Sequence, residues 1–299
     1  MKKNTVGIDV GGTFTKIGLV DPSGEIVRSI QIPTIPSQGP EKFVRRAAAI
    51  LDGWKYSSVG LGLAGGVDAK TGTLLFVPNL KGWTGFSFNK AFSKALGVNI
   101  VVDNDANVAV WGGYKVALKG RGDTIIGVTL GTGVGGGLVI GGRLHRGATG
   151  SAGEIGHLTL ELDGPRCNCG RRGCLEAYAG TAAILRRARA LMRRLPSPLT
   201  PKAVADAALA GDHGALKVWD EVGTRLGQGL ASLTLVLNPD AILILGGVAR
   251  AGRLVLDPVR RVFAAQPFRE PFRKVVLSAP AGPDWGVVGS ALLSRERRG

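Results

Sequence analysis

A short polar run, Asp103-Asn104-Asp105-Ala106-Asn107, carries the side chains best suited to acid–base chemistry in this sequence. It ends a predicted strand and opens a predicted helix. A carboxylate placed there could accept the proton of a sugar-type hydroxyl, which has a very high pKa and is a poor nucleophile on its own. Neighbouring amides could hold other hydroxyls. The same residues also suit an Asx-type helix cap by Asp103 or Asn104, so both interpretations stay open.

Two glycine–threonine turns, about 120 residues apart, could hold phosphate groups. The first lies in Ile8-Asp9-Val10-Gly11-Gly12-Thr13, and the second runs from Gly131-Thr132-Gly133 into Gly135-Gly136-Gly137. Glycine lets backbone N–H groups approach phosphate oxygens without a Cβ in the way. One such turn alone is equally typical of a tight hairpin. Two of them indicate two related domains that face one ligand.

Three clustered cysteines and a nearby histidine have the pattern of a metal site. Cys167, Cys169 and Cys174 lie close together, and His157 precedes them. One histidine and three cysteines supply the four ligands of a closed tetrahedral zinc site, in which no open position is left for catalysis. The alternative, a set of buried free thiols, is disfavoured by charged neighbours such as Arg171. We therefore predict a structural zinc ion.

Composition narrows the class of protein. The 299 residues are 44% hydrophobic, enough for one large domain or two smaller ones. No apolar run reaches the roughly 18–20 residues that span a bilayer, so we expect a soluble, cytoplasmic protein. The net charge of +16 would suit nucleic acid or another polyanion. However, many arginines fall on one face of a predicted amphipathic helix, and the few aromatic residues do not interleave with them. We therefore expect neither a nucleic acid nor a membrane as a partner.

Alternating strands and helices must position these motifs. The predicted strands cover residues 4–10, 15–20, 25–32, 58–64, 98–103, 125–130, 241–245 and 275–278. The predicted helices cover residues 40–53, 89–96, 181–195 and 286–294, with more helix within 202–236. This alternation is typical of an α/β protein.

Together these motifs resemble the ROK family, whose name joins repressors, open reading frames and kinases. The resemblance extends from Asp9 to about Gly289. Its most specific parts are the stretch from Val128 to His157, with Gly153-Glu154-Ile155-Gly156-His157 at its end, and the run Cys-Asn-Cys-Gly-Arg-Arg-Gly-Cys-Leu-Glu at 167–176.

The resemblance implies an α/β, actin-like ATPase (ribonuclease H-like) fold with two lobes and a cleft between them. The implied small lobe spans residues 1–112, with the C-terminal helix 286–299 packing back on it. The implied large lobe spans residues 113–285 and carries the zinc motif. Family members are commonly dimers, so a homodimer is expected, with a tetramer as the alternative.

The family's functional residues carry over by position. Asp105 matches the general base. The residues that match sugar ligands are Asn79, Asn104, Glu154, His157 and Glu176. His157 also matches a zinc ligand, together with Cys167, Cys169 and Cys174. The residues that match the phosphate, magnesium and adenosine regions are Asp9, Gly11, Gly12, Thr13, Lys16, Thr132, Gly133, Gly246 and Gly247.

The implied activity is transfer of a phosphoryl group from ATP, with Mg²⁺, to a hexose, with glucose 6-phosphate as the expected product. N-acetylglucosamine, N-acetylmannosamine and other hexoses stay open as substrates, because the sequence does not place the pocket wall that meets the 2-substituent. Polyphosphate stays open as a donor, because the positive charge would suit it. A repressor or sugar sensor is disfavoured, because no DNA-binding segment precedes the first strand and Asp105 is intact.

Overall fold

The structure, a computed structural model, describes residues 3–77 and 80–296 and divides into two compact units. The first contains the described residues up to Arg121, Leu144–Gly153, and the described residues from Gly282 onward. The second contains Gly122–Arg143 and Glu154–Ala281. The sequence-based division at residue 112 therefore differs from the compact units, which place residues 113–121 and 144–153 in the first. That these units are the lobes of a kinase stays a prediction.

The first unit is built on a five-stranded mixed sheet with the order β3-β2-β1-β4-β7. The strands of this sheet are β1 (Thr5–Val10), β2 (Phe14–Val20), β3 (Ile26–Pro33), β4 (Ser58–Leu63) and β7 (Asn99–Asn104), whereas β5 (Gly66–Asp68) and β6 (Thr73–Phe76) form a separate two-stranded sheet. Its helices are α1 (Pro40–Ile50), α2 (Phe88–Leu96), α3 (Asp105–Val116) and the C-terminal helix α9 (Trp285–Leu293). β1 to β3 are antiparallel, whereas β1, β4 and β7 are parallel. β1 and β4 are almost wholly buried, as expected of central strands with both faces covered.

Helix α9 packs against a row of glycines in this sheet. Gly18, Gly7 and Gly60 are directly opposite one another on β2, β1 and β4. A Cβ at Gly7 would lie 1.8 Å from the carbonyl oxygen of Val287, and a Cβ at Gly60 would lie 1.8 Å from that of Ser290. No side chain fits at these separations, so glycine is what allows the helix backbone to approach the sheet so closely.

The second unit contains a second five-stranded sheet with the order β10-β9-β8-β11-β12. Its strands are β8 (Ile125–Leu130), β9 (Val134–Ile140), β11 (Ala241–Leu245) and β12 (Val276–Ser278), and of β10 (Arg143–His145) only Arg143 belongs to this unit. Its helices are α4 (Glu176–Ala179), α5 (Thr181–Leu191), α6 (Pro201–Leu209), α7 (His213–Leu237) and α8 (Arg253–Ala264). In both units an antiparallel hairpin continues into two parallel strands. The repeat seen in the sequence is therefore also a repeat of strand arrangement.

Most predicted elements are present, with ends shifted by a few residues. The helix predicted over 181–195 ends at Leu191, where Met192 adopts an extended conformation. Its buried side chains include Ile184 and Ala188, whereas Arg186 and Arg189 are exposed, so its amphipathic character is confirmed. Helix α8 was not predicted, since it contains a proline in its interior, which is atypical of helices. Among residues 3–77 and 80–296, no helix is both long enough and apolar enough to cross a membrane.

Candidate functional site

The carboxylate of Asp9 lies against the first turn of α9. A Cβ at Gly286 would lie 2.7 Å from Asp9 Oδ2, so the carboxylate occupies space that this glycine leaves open. Beside it, Lys16 Nζ on β2 donates to Asp284 Oδ2 at 2.5 Å. Asp284 also caps α9 by accepting a hydrogen bond from Val287 N. Asp284 was not identified from the sequence, although an aspartate just before a predicted helix is a typical N-cap signal.

Asp9 is half-buried and surrounded by negative charge. Burial, the largest cause, raises the pKa of Asp9 from 3.8 to about 7. The charges of Asp284 and Asp105 raise this pKa further, and the charge of Lys16 lowers it. A cation bound beside this carboxylate would favour its ionised form. Carboxylate oxygens are the ligands that hard divalent cations prefer, so this group of carboxylates suits a cation such as Mg²⁺.

The turn between β1 and β2 leaves polar groups accessible. Gly11 N donates to Phe14 O at 3.1 Å, and Thr34 Oγ1 donates to Gly11 O at 2.7 Å. These bonds hold the turn from within the protein. Gly12 is half-exposed and Thr13 is exposed, so both are available to a ligand at this edge of the sheet.

Asn104 caps helix α3, as one of the two sequence interpretations proposed. Its Oδ1 accepts from Ala106 N at 2.9 Å and from Asn107 N at 3.1 Å, and its Nδ2 donates to Gly65 O at 3.0 Å. The bond to Gly65 uses one of the two N–H groups of the amide. Asp105 follows as the first residue of the helix. It is half-buried, and its Oδ1 accepts from Ala106 N at 2.9 Å.

Asp103 does not cap the helix. Its side chain is buried, and its Oδ2 accepts a hydrogen bond of 2.6 Å from Arg146 Nε. Its Oδ1 accepts from Asn104 N at 2.8 Å and from Asn107 Nδ2 at 3.0 Å. No local pattern indicates Arg146, because this arginine lies more than forty residues along the chain from its partner.

The predicted metal ligands come together in the second unit. The candidate ligand atoms of His157, Cys167, Cys169 and Cys174 all lie within 4.8 Å of one another. The sulfur atoms of Cys169 and Cys174 are 3.7 Å apart, and Cys167 Sγ is 3.8 Å from His157 Nδ1. A tetrahedral zinc ion with bonds of about 2.3 Å to sulfur requires separations of about 3.8 Å between ligand atoms. The arrangement therefore fits zinc.

The chemistry of the thiols also fits a cation. Burial is the main cause that raises the pKa of Cys167 to about 12, and burial likewise raises the pKa of Cys174. The pKa of Cys169 is lowered, mainly by the backbone N–H of Arg171. Two of the three thiols thus resist ionisation unless a cation lies among them, and thiolates are the form that zinc binds.

Glu176 connects the metal ligands to the second glycine–threonine turn. Its Oε2 accepts from Val134 N at 3.0 Å, and its Oε1 accepts a contact of 3.5 Å from Cys167 Sγ. A Cβ at Gly133 would lie 2.2 Å from Oε2, so glycine is required there for this contact. Since both oxygens have partners within the protein, the role of Glu176 as a sugar ligand stays a prediction.

Glu154 and Gly246, two further predicted residues, lie in the second unit. Glu154 precedes the short turn that ends at His157, whose N–H donates to the Glu154 carbonyl at 3.0 Å. Gly246 follows β11 with a φ of +93°, and a Cβ there would lie 2.4 Å from Leu130 O at the end of β8. The ends of β8 and β11 are thus adjacent, which brings Gly246 close to the second turn. Asn79 lies outside the described residues.

Comparison with known proteins gives a consistent picture. The sequence profile of the ROK family matches residues 5–297. A glucokinase of Thermotoga maritima is 35% identical over 317 aligned residues, which cover 100% of this chain and 99% of that protein. A glucokinase of Streptomyces coelicolor is 36% identical, with 98% of each covered. The chain is also similar to the crystal structure of a ROK family glucokinase from Streptomyces griseus in complex with glucose and AMPPNP. The TM-score is 0.84 at 35% identity, covering 98% of this chain and 99% of that one.

The replacement Asp9→Asn should stabilise the protein more at pH 8 than at pH 5. The pKa of Asp9 is about 7 in the folded chain and its ordinary value is 3.8, so the folded state holds the proton more tightly. The proton on Asp9 therefore stabilises the folded state. This contribution is complete below the unfolded-state pKa of 3.8 and is lost as the pH rises through the folded-state pKa of about 7. Asparagine has no such loss. We expect the difference in the free energy of unfolding between variant and wild type to grow by roughly 1–3 kcal/mol between pH 5 and pH 8.

Urea denaturation at a series of pH values would measure this difference. Asp52→Asn is a matched control, because Asp52 is an exposed aspartate of the same unit. A difference for Asp9→Asn that is the same at every pH would contradict the raised pKa.

Proposed function

The chain belongs to the ROK family, and from this membership we propose that it is an ATP-dependent hexose kinase, a glucokinase that forms glucose 6-phosphate. The observation that carries the proposal is the similarity, over almost the full length of both chains, to a glucokinase solved with glucose and AMPPNP. The two full-length curated relatives described above are also glucokinases, which favours glucose over N-acetylated hexoses.

Asp105 is the general base of the proposed reaction. A sugar hydroxyl attacks the γ-phosphoryl group while this carboxylate accepts its proton. Two features of the first unit suit this role. Asp105 is half-buried at the start of α3, and Asn104 caps that helix with two backbone hydrogen bonds. A carboxylate that is already held in place needs little reorganisation during the reaction.

Nucleotide binding involves the two glycine–threonine turns. In the first unit, Asp9 would hold Mg²⁺, and Lys16 with the Gly11-Gly12-Thr13 turn would bind phosphate oxygens. Bound Mg²⁺ neutralises charge on the phosphates. In the second unit, Thr132 and Gly133 would also contact phosphate, with Gly246 and Gly247 near the adenosine. The space beside Gly247 is open, since a Cβ there would meet nothing within 4 Å, so the nucleotide could approach this backbone closely.

Zinc has a structural role in this proposal. Its ligands are His157, Cys167, Cys169 and Cys174, which leave no open position. The ion would order the segment that carries Glu154 and Glu176, two of the predicted sugar ligands, and Glu176 also bonds to the second turn. A homodimer, the assembly common in the family, completes the proposal, with a tetramer as the alternative.

The replacement Asp105→Asn should abolish measurable turnover of glucose. Loss of a positioned base typically lowers the rate about 10²–10⁴-fold. Asparagine has nearly the same size and keeps an oxygen that can accept from Ala106 N, so glucose affinity measured by calorimetry should change little. Asp52→Asn is the control for turnover. Near-normal turnover in folded Asp105→Asn protein would contradict the assignment.

The purified protein should contain one zinc ion per chain, measured by elemental analysis. His157→Ala and Cys174→Ser should each lower this content, because three ligands hold zinc less tightly than four. His213→Ala is the matched control, since His213 is an exposed histidine remote in sequence from the cysteines. Zinc content in His157→Ala that equals that of the control would show that this histidine is not a ligand.

A further inference from the structure

An ion pair with a buried carboxylate adjoins the first turn of α3, which carries Asp105. Arg146 Nε donates to Asp103 Oδ2 at 2.6 Å, and the side chain of Asp103 is only 3% exposed, against 33% for that of Arg146. Both residues belong to the first unit, because the segment Leu144–Gly153 lies there although the chain on either side of it belongs to the second. A charge-assisted hydrogen bond to a carboxylate this deeply buried orients that carboxylate.

The second oxygen of Asp103 reaches the residues on either side of the general base. Oδ1 accepts from Asn104 N at 2.8 Å and from Asn107 Nδ2 at 3.0 Å. Asn104 in turn caps α3. Among the described residues, the buried Oδ1 of Asn107 has no hydrogen-bond partner. The orientation of the Asn107 amide therefore depends on its bond to Asp103.

We infer that Arg146 is a positioning residue for phosphoryl transfer: through Asp103 it holds the Asn104–Asn107 turn and thereby the carboxylate of Asp105. This inference rests on the proposed function. Without the guanidinium, Oδ2 of Asp103 would lose its charged partner, and the carboxylate could rotate away from Asn104 N and Asn107 Nδ2. A displacement of about 1 Å at a reacting group can lower a rate by about 10²-fold even when the substrate still binds.

Kinetics of Arg146→Gln and Arg146→Lys test the inference. We expect Arg146→Gln to lower kcat about 10- to 100-fold, with the Kd for glucose changed less than about threefold. Arg146→Lys retains the positive charge but lacks the planar guanidinium with its fixed N–H donors, so it should recover part of kcat. Arg143→Gln, at an exposed arginine three residues earlier, is the matched control and should behave as wild type. Wild-type kcat in Arg146→Gln would overturn the inference.

Hydrogen exchange of the backbone amides near Asp105 gives a readout that does not depend on activity. In Arg146→Gln, the amides of Ala106 and Asn107 should exchange faster than in Arg143→Gln, because their acceptor, the side chain of Asn104, is held less firmly. Unchanged exchange would overturn the inference even if the protein were inactive. A wild-type protein that phosphorylates no sugar would refute the proposed function instead, and the exchange result would still decide the role of Arg146.

Arg146→Gln leaves a buried carboxylate without its cation, which destabilises the folded state. The double variant Asp103→Asn with Arg146→Gln removes both charges and should recover most of the melting temperature. We expect its kcat to stay well below that of wild type. Full recovery of both melting temperature and kcat would show that the ion pair only stabilises the fold, and would overturn the inference.

Discussion

The close approach of α9 to the first sheet is the constraint on which the site in that unit depends. Gly7 and Gly60 lie opposite each other on adjacent strands, and the helix backbone occupies the space that their side chains would need. Gly289 on the helix is just as close to α3, since a Cβ there would lie 1.6 Å from Val108 O. Helix α9 is therefore held from two sides, and its first turn is brought to the end of β1. That contact places Asp284 and Gly286 around Asp9.

Electrostatics at this edge of the sheet oppose the folded state when no cation is bound. Asp9 is close enough to Asp284 and Asp105 for both charges to raise its pKa, and Lys16 compensates only in part. A site with excess negative charge and limited solvent is unfavourable by itself, yet it is suited to a divalent cation and its nucleotide. In the second unit, burial raises the pKa of Cys167 and of Cys174, so a bound metal ion would favour their ionised form. In both units, the groups whose ionised form is disfavoured by burial are the ones that would bind cations.

Short-range patterns in the sequence predicted much of this structure, and long-range contacts account for what was missed. The motifs around Asp9, Asp105 and the cysteines could be read locally, because glycine turns, helix caps and ligand spacing are local properties. The pairing of Asp103 with Arg146 could not, since nothing near either residue indicates its partner. Likewise, the hydrogen bond from Val134 N to Glu176 depends on how two distant segments pack. Whether Asp103 or Asn104 caps α3 could not be decided from the sequence, because either side chain suits an N-cap.

The most direct test of the central claim is an assay of ADP release by the zinc-loaded protein with Mg²⁺–ATP. The sugars would be glucose, mannose, fructose, allose, N-acetylglucosamine and N-acetylmannosamine, and the product would be identified by phosphorus NMR. We predict a kcat/KM for glucose well above that for every other sugar, with glucose 6-phosphate as the product. A preference for an N-acetylated sugar would contradict the glucokinase assignment. Absence of any sugar phosphate by phosphorus NMR, with ATP and then with polyphosphate as the donor, would contradict the kinase itself.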